Sequence, residues 1–153
     1  MSSVEERLAS LGLTVPEVVP PVAAYVPAAR TGDLVFTAGQ LPARDGEMLA
    51  IGKLGGEVSE EQGYECARQC ALNALAAIKA ELGSLEEVRR VVKATVFVAS
   101  TPDFTAQPKV ANGASELLAE AFGEAGRHAR SAVGVPVLPL DVPVEVELVV
   151  EVR

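Results

Sequence analysis

Three side chains near the carboxyl end have types that could do chemistry: His128, Arg130 and Glu145. Arg130 sits in the run HARSAVGVPVLP, and its guanidinium carries charge at any workable pH in a planar fork that matches a carboxylate. Two readings are open: a binding group for a small carboxylate, or an ion pair with a glutamate on a neighbouring strand. His128 is the sole histidine, two residues before Arg130, so both share a face of an extended segment. That placement allows proton transfer, although a single histidine equally serves packing or the surface. In VEVELVVEV, Val144, Val146, Leu148, Val150 and Val152 alternate with Glu145, Glu147, Val149 and Glu151, so the glutamates lie opposite a continuous apolar row. Carboxylates there are either solvated or, at an interface, in need of a partner or a task. With one histidine no Ser-His-Asp triad can be argued, and no phosphate-binding or dinucleotide glycine pattern is present.

The elements that must hold these groups follow from periodicity and turn residues. Ser2 or Ser3 can cap a short helix carrying Leu8 and Leu11 and ending at Gly12. TVPEVVPPVAAYVP is too rich in proline for a helix and predicts an extended lead-in. Tyr25–Arg30 and Leu34–Gln40 predict a hairpin about Thr31, Gly32 and Asp33. Gly39 falls at the end of the second strand, either as a plain turn residue or where backbone approaches a ligand. After a glycine-rich loop, Ser59 and Gln62 form a capping box for a helix reaching Leu82, with Gly83 as its stop. Val88–Val98 predicts a buried strand, 108–122 a second helix opened by Pro108, and Ser131–Val137 and Val144–Val152 two final strands. The order β, β, helix, β, helix, β, β predicts an α+β fold: one mixed sheet of five to six strands with two main helices on one face. The other face needs a cover, so subunits are expected to pack sheet to sheet.

Composition narrows the classes. The 153 residues suit a single domain, here divided into an accessory segment over 1–20 and a main unit over 21–153. A net charge of −8 and a pI near 4.7 oppose nucleic acid as a partner, and the one tight basic cluster, Arg89, Arg90 and Lys93, reads as a solvated face. Neither a secretion signal nor a membrane-length apolar run is seen, so a cytoplasmic location is expected. Cys66 and Cys70, four apart on a helix, read as buried free thiols, and one histidine with two cysteines makes a metal site unexpected.

The segments YVPAARTGDLVFTAGQLP, VVKATVFVAS with DF just after it, and ARSAVGVPVLP with PVEVE resemble the reactive-intermediate deaminase family, also called Rid, YjgF-type or endoribonuclease L-PSP proteins. The similarity runs from about Tyr25 to Arg153. It implies a chorismate-mutase-like fold and a homotrimer with sites between subunits. The implied activity is hydrolysis of reactive 2-imino or enamine acids to 2-oxo acids and ammonia (2-iminobutanoate/2-iminopropanoate deaminase), with no metal or organic cofactor. By this resemblance Arg130 takes the substrate carboxylate, Glu145 positions water, Tyr25 lines the pocket and Gly39 offers a backbone contact. Ala132 stands where the deaminases often carry cysteine, a role its backbone could keep. The chain resembles a divergent subgroup, with an N-terminal extension, a longer loop over 42–58 and a different length between Asn112 and His128. Two alternatives stand beside the implied activity: non-catalytic binding or sensing of small carboxylates such as 2-oxo acids and, disfavoured by the acidic pI and the single histidine, RNA cleavage.

Overall fold

The structure is a computed structural model that describes residues 3–18, 20–21 and 23–153. Ser2, the alternative cap, and Val19 and Val22 of the lead-in lie outside the described residues. Helix α1 (Val4–Ser10) is capped by the Ser3 hydroxyl, which accepts from the Glu6 amide at 3.1 Å. Its inward face is Val4 and Leu8; Leu11, expected to share that face, ends the helix and is 41% exposed. The helix is tied down by Arg7 Nη1 donating to the Ala121 carbonyl and by the Val4 amide donating to Glu86 Oε2.

Strands β1 (Ala28–Thr31) and β2 (Leu34–Thr37) form the expected hairpin, but both are shorter than the sequence suggests. Pro27 has no N–H to extend the ladder, so Tyr25 falls outside β1, 52% exposed. A second hairpin, β3 (Ala43–Arg44) and β4 (Glu47–Met48), was not anticipated inside the 42–58 loop. Asp45 and Gly46 have φ of 53° and 81°, the paired positive values of a two-residue hairpin turn, and Asp-Gly is its usual signature.

Helix α2 (Glu60–Leu82) carries the predicted Ser59–Gln62 capping box, and Gly83 stops it at φ 85°. Strand β5 (Val88–Ala99), helix α3 (Gln107–Phe122), strand β6 (Ala129–Val135) and strand β7 (Val144–Val152) complete the fold. The five-stranded sheet has the order β1-β2-β7-β5-β6 and is antiparallel except for the parallel β5–β6 pair. Strand β6 begins and ends two residues earlier than expected, because Pro136 cannot donate to a continuing ladder. Arg130 is therefore its second residue.

Both long helices cover one face of the sheet. Val144, Val146, Leu148, Val150 and Val152 are buried against them, with Val91, Ala94, Val96 and Val98 of β5 alongside. At the helix contact Gly113 is required: a Cβ there would collide with the Tyr64 carbonyl oxygen. The opposite face carries Phe36, Phe97, Val133 and Val149 among Glu145, Glu147 and Glu151, and Phe36 and Val133 are more than 40% exposed. Arg89 and Arg90 are exposed at the start of β5. No helix of the described residues is long and apolar enough to cross a membrane.

Candidate active site

Register decides where Arg130 points. It pairs with Ala94, which pairs with Leu148, and both of those are buried under the helices. Laterally paired residues share a face, so Arg130 projects toward α3. There Nη1 donates to Asn112 Oδ1 at 2.8 Å and to Ser115 Oγ at 3.2 Å, while Nη2 makes a longer bond to the Pro108 carbonyl at 3.4 Å. Both Nη1 hydrogens are thus committed to the protein and Nη2 spends one on Pro108, so Nε and the second Nη2 hydrogen have no partner among the described residues.

The alternative of an internal ion pair is not what the structure contains. Among the described residues the ion pairs are Lys53–Asp141, Arg68–Glu120, Lys79–Glu5 and Arg127–Glu124. Arg130 has neutral partners only. A half-buried guanidinium held by three oxygens, none of them anionic, keeps its full charge for an incoming anion. Ala132 follows two residues on, on the same face, packed against the core.

Glu145 lies on the other side of the sheet, paired with Phe97. The β2–β7 ladder runs through Phe36–Val149 and resumes at Gln40–Val146, so four steps on one chain oppose three on the other. This bulge is filled at Thr37, whose Oγ1 accepts from the Leu148 amide, and it sets Gly39 directly on the Glu145 side chain. A Cβ at Gly39 would collide with Glu145 Oε2, so any larger residue there would displace the Glu145 carboxylate. Burial, and secondarily the Glu147 carboxylate on the same face, push the Glu145 carboxyl above its usual range. Tyr25 and Gly39 line one cavity of about 170 Å³ with Gln40, Leu41, Met48 and Asn73. Arg130 lines another, of about 260 Å³, with Ser115, Gly126, Arg127 and His128.

Within one chain, then, the predicted residues fall into two groups separated by the sheet. Tyr25, Gly39 and Glu145 gather at the β2–β7 bulge; Arg130 and Ala132 lie under α3. Sequence reasoning missed Asn112 and Ser115, whose only signal is a position one helical turn apart on α3, and missed Gln69 and Asn73. Asn73 Nδ2 donates to the Leu41 and Ala43 carbonyls at 2.9 Å each, and its Oδ1 accepts from Gln69 Nε2, so this buried pair holds the backbone just beyond Gly39. The spacing Gln69–Asn73 on an otherwise apolar helix face was the available clue. His128 is brought beside Arg130 through Ser115, whose Oγ lies 2.9 Å from Nε2. Cys66 and Cys70 are free and buried, and desolvation pushes Cys66 up to about 11 and holds Cys70 well above its ordinary value. No cluster of three or more potential metal ligands exists among the described residues.

A five-stranded mixed sheet with two long helices on one face and an arginine on the β6 edge strand define a class of small α+β proteins. Residues 5–152 match the family described as "YjgF/chorismate_mutase-like, putative endoribonuclease", and the chain belongs to that family. It is 44% identical to Protein TCP17 of Trypanosoma cruzi over 98% of this chain and 94% of that protein. A structure from Agrobacterium tumefaciens, of unknown function, is 43% identical, with a TM-score of 0.91 over 97% of this chain and 91% of the other. The structure of Escherichia coli TdcF with bound serine is 28% identical, with a TM-score of 0.63 over 90% and 94%.

Proposed function

We propose that this chain is one subunit of a cofactor-independent hydrolase that converts reactive 2-imino and enamine acids to 2-oxo acids and ammonia. The observation that carries the reading is Arg130, a held guanidinium with no anionic partner among the described residues, whose Nε and second Nη2 hydrogen form an uncommitted edge. That edge suits a side-on bidentate carboxylate. The family relation supports it, as does the serine in the E. coli TdcF structure, an amino acid that presents a carboxylate of the same kind.

An imine carbon is already electrophilic, so positioning accounts for most of what the protein must supply. Arg130 anchors the carboxylate. A water held by Glu145 adds to the C=N carbon, the nitrogen takes a proton, and the resulting carbinolamine expels ammonia as the carbonyl forms. An enamine first gains a proton at its β-carbon to become the imine. A carboxyl group held above its usual range is better able to give up as well as accept a proton in these steps. Because the sheet lies between Arg130 and Glu145, the reading requires the two from different subunits, with the carboxylate substrate bound between them in a homotrimer.

The test generates 2-aminoacrylate with a dehydratase and follows pyruvate release. Wild type is expected to accelerate release and Arg130→Ala to lose the acceleration; equal rates for the two would end the proposal. Saturable 2-oxobutanoate binding that needs Arg130, without turnover of any imine, would instead identify a sensor of 2-oxo acids.

A further inference from the structure

The hydrogen bonds around Arg130 continue beyond it, and one carbonyl acceptor sets their direction when the imidazole is neutral. His128 Nδ1 lies 2.6 Å from the Gly126 carbonyl oxygen, which can only accept, so Nδ1 carries the hydrogen. In the neutral ring Nε2 is then an acceptor, and its partner at 2.9 Å is the Ser115 hydroxyl. The single hydrogen of Ser115 is thereby committed to His128. Its lone pairs turn to Arg130 Nη1 at 3.2 Å, and the second Nη1 hydrogen goes to Asn112 Oδ1. The chain reads Arg130 to Ser115 to His128 to the Gly126 carbonyl, each group donating to the next.

We infer that Ser115 and His128 are positioning residues for the substrate carboxylate: by occupying Nη1 they fix which edge of the guanidinium faces the ligand. The inference rests on the carboxylate-binding reading above. Alone, the Ser115 hydroxyl could rotate to donate elsewhere, and an arginine side chain has several rotamers of similar energy. With His128 Nε2 as a fixed acceptor, held by the Gly126 carbonyl at Nδ1, the hydroxyl has one orientation and Nη1 one arrangement. Gly126 contributes through its backbone: a Cβ there would collide with the Leu118 carbonyl, so the turn that presents its oxygen to His128 requires glycine. Asn112 and Ser115, three residues apart on α3, supply the two acceptors from one helix face. None of these groups needs to touch the reacting carbon.

The sole histidine makes the test direct, because the ring nitrogens of His128 are the only imidazole signals in a 15N spectrum. At alkaline pH wild type is expected to show the Nδ1–H tautomer, and the Nε2 signal to move both in Ser115→Ala and on titration with 2-oxobutanoate. Ser115→Ala is expected to raise the Kd for 2-oxobutanoate and KM by about tenfold, the loss of a hydrogen bond to a charged group. Its kcat should stay within about twofold. Ser115→Thr, which keeps the hydroxyl, should restore binding, and His128→Phe should weaken it in the same direction as Ser115→Ala. Thermal melts of the variants separate these effects from misfolding. An Nε2–H tautomer in wild type would overturn the inference, as would an unchanged Kd in Ser115→Ala and His128→Phe while wild type binds. Failure of wild type itself to bind would overturn the carboxylate reading first and this inference with it.

Discussion

Glu145 and the two cysteines give the clearest residue-scale tests, because burial acts on each through the same penalty on charge. A carboxyl held above its usual range in the folded chain keeps its proton when the unfolded chain has lost it. Stability contributed by that proton is therefore complete below the ordinary value and is lost as pH rises through the folded one. Glu145→Gln cannot ionise, so it should be more stable than wild type at about pH 8 and show little difference at about pH 4, measured by urea unfolding. An equal gain at both values would contradict the assignment. For the thiols, raised values and full burial predict no reaction with a thiol-exchange reagent in the native protein at about pH 8 and reaction of both in denaturant.

Two contacts between elements govern how the site is held. The close passage of α2 and α3 depends on Gly113, and Gly113→Ala should cost about 1–3 kcal/mol by overpacking, with no nearby side chain able to relieve the collision with the Tyr64 carbonyl. Denaturant melts would show it. Asn73 acts from α2 on the segment after the bulge. Asn73→Ala strands the Leu41 and Ala43 carbonyls and should cost about 1–3 kcal/mol. Because that segment carries Gly39 against Glu145, kcat should fall as well, whereas Gly113→Ala, next to Asn112 on the helix that holds Arg130, should weaken carboxylate binding along with stability. The capping box, Gly83 and the alternation of β7 were all legible, since each depends on residues a few positions apart. The β3–β4 hairpin was legible in principle from Asp45-Gly46 and was overlooked. The bulge was not, because it exists only in the pairing of β2 with β7, more than a hundred residues away.

At the scale of the molecule, the helices cover one face of the sheet while the other presents Phe36 and Val133 to solvent among carboxylates. The proposed trimer would bury that face, and sedimentation should give three times the 15.9 kDa subunit mass. It also makes a mixing test possible. Arg130→Ala and Glu145→Ala are each expected to be inactive, yet subunits mixed in equal amounts and reassembled should recover about a quarter of wild-type activity, the random share of intact pairings across interfaces. No recovery from a mixed oligomer would place both groups in one subunit's site and contradict the sheet geometry.

Local pattern determined the order along the chain of the main sheet's strands and the two long helices, the helix caps, the buried face of β7 and Arg130 as the residue of interest, because these depend on neighbours in the chain. The family resemblance supplied Glu145 as its partner. What only the tertiary structure decided is that Arg130 has no counter-ion among the described residues, that the sheet parts it from Glu145, and that Ser115 and His128 stand behind it. Those facts follow from the parallel register of β5 with β6 and the placement of α3 over that edge. Such pairings join residues distant in sequence, and no periodicity in the chain records them.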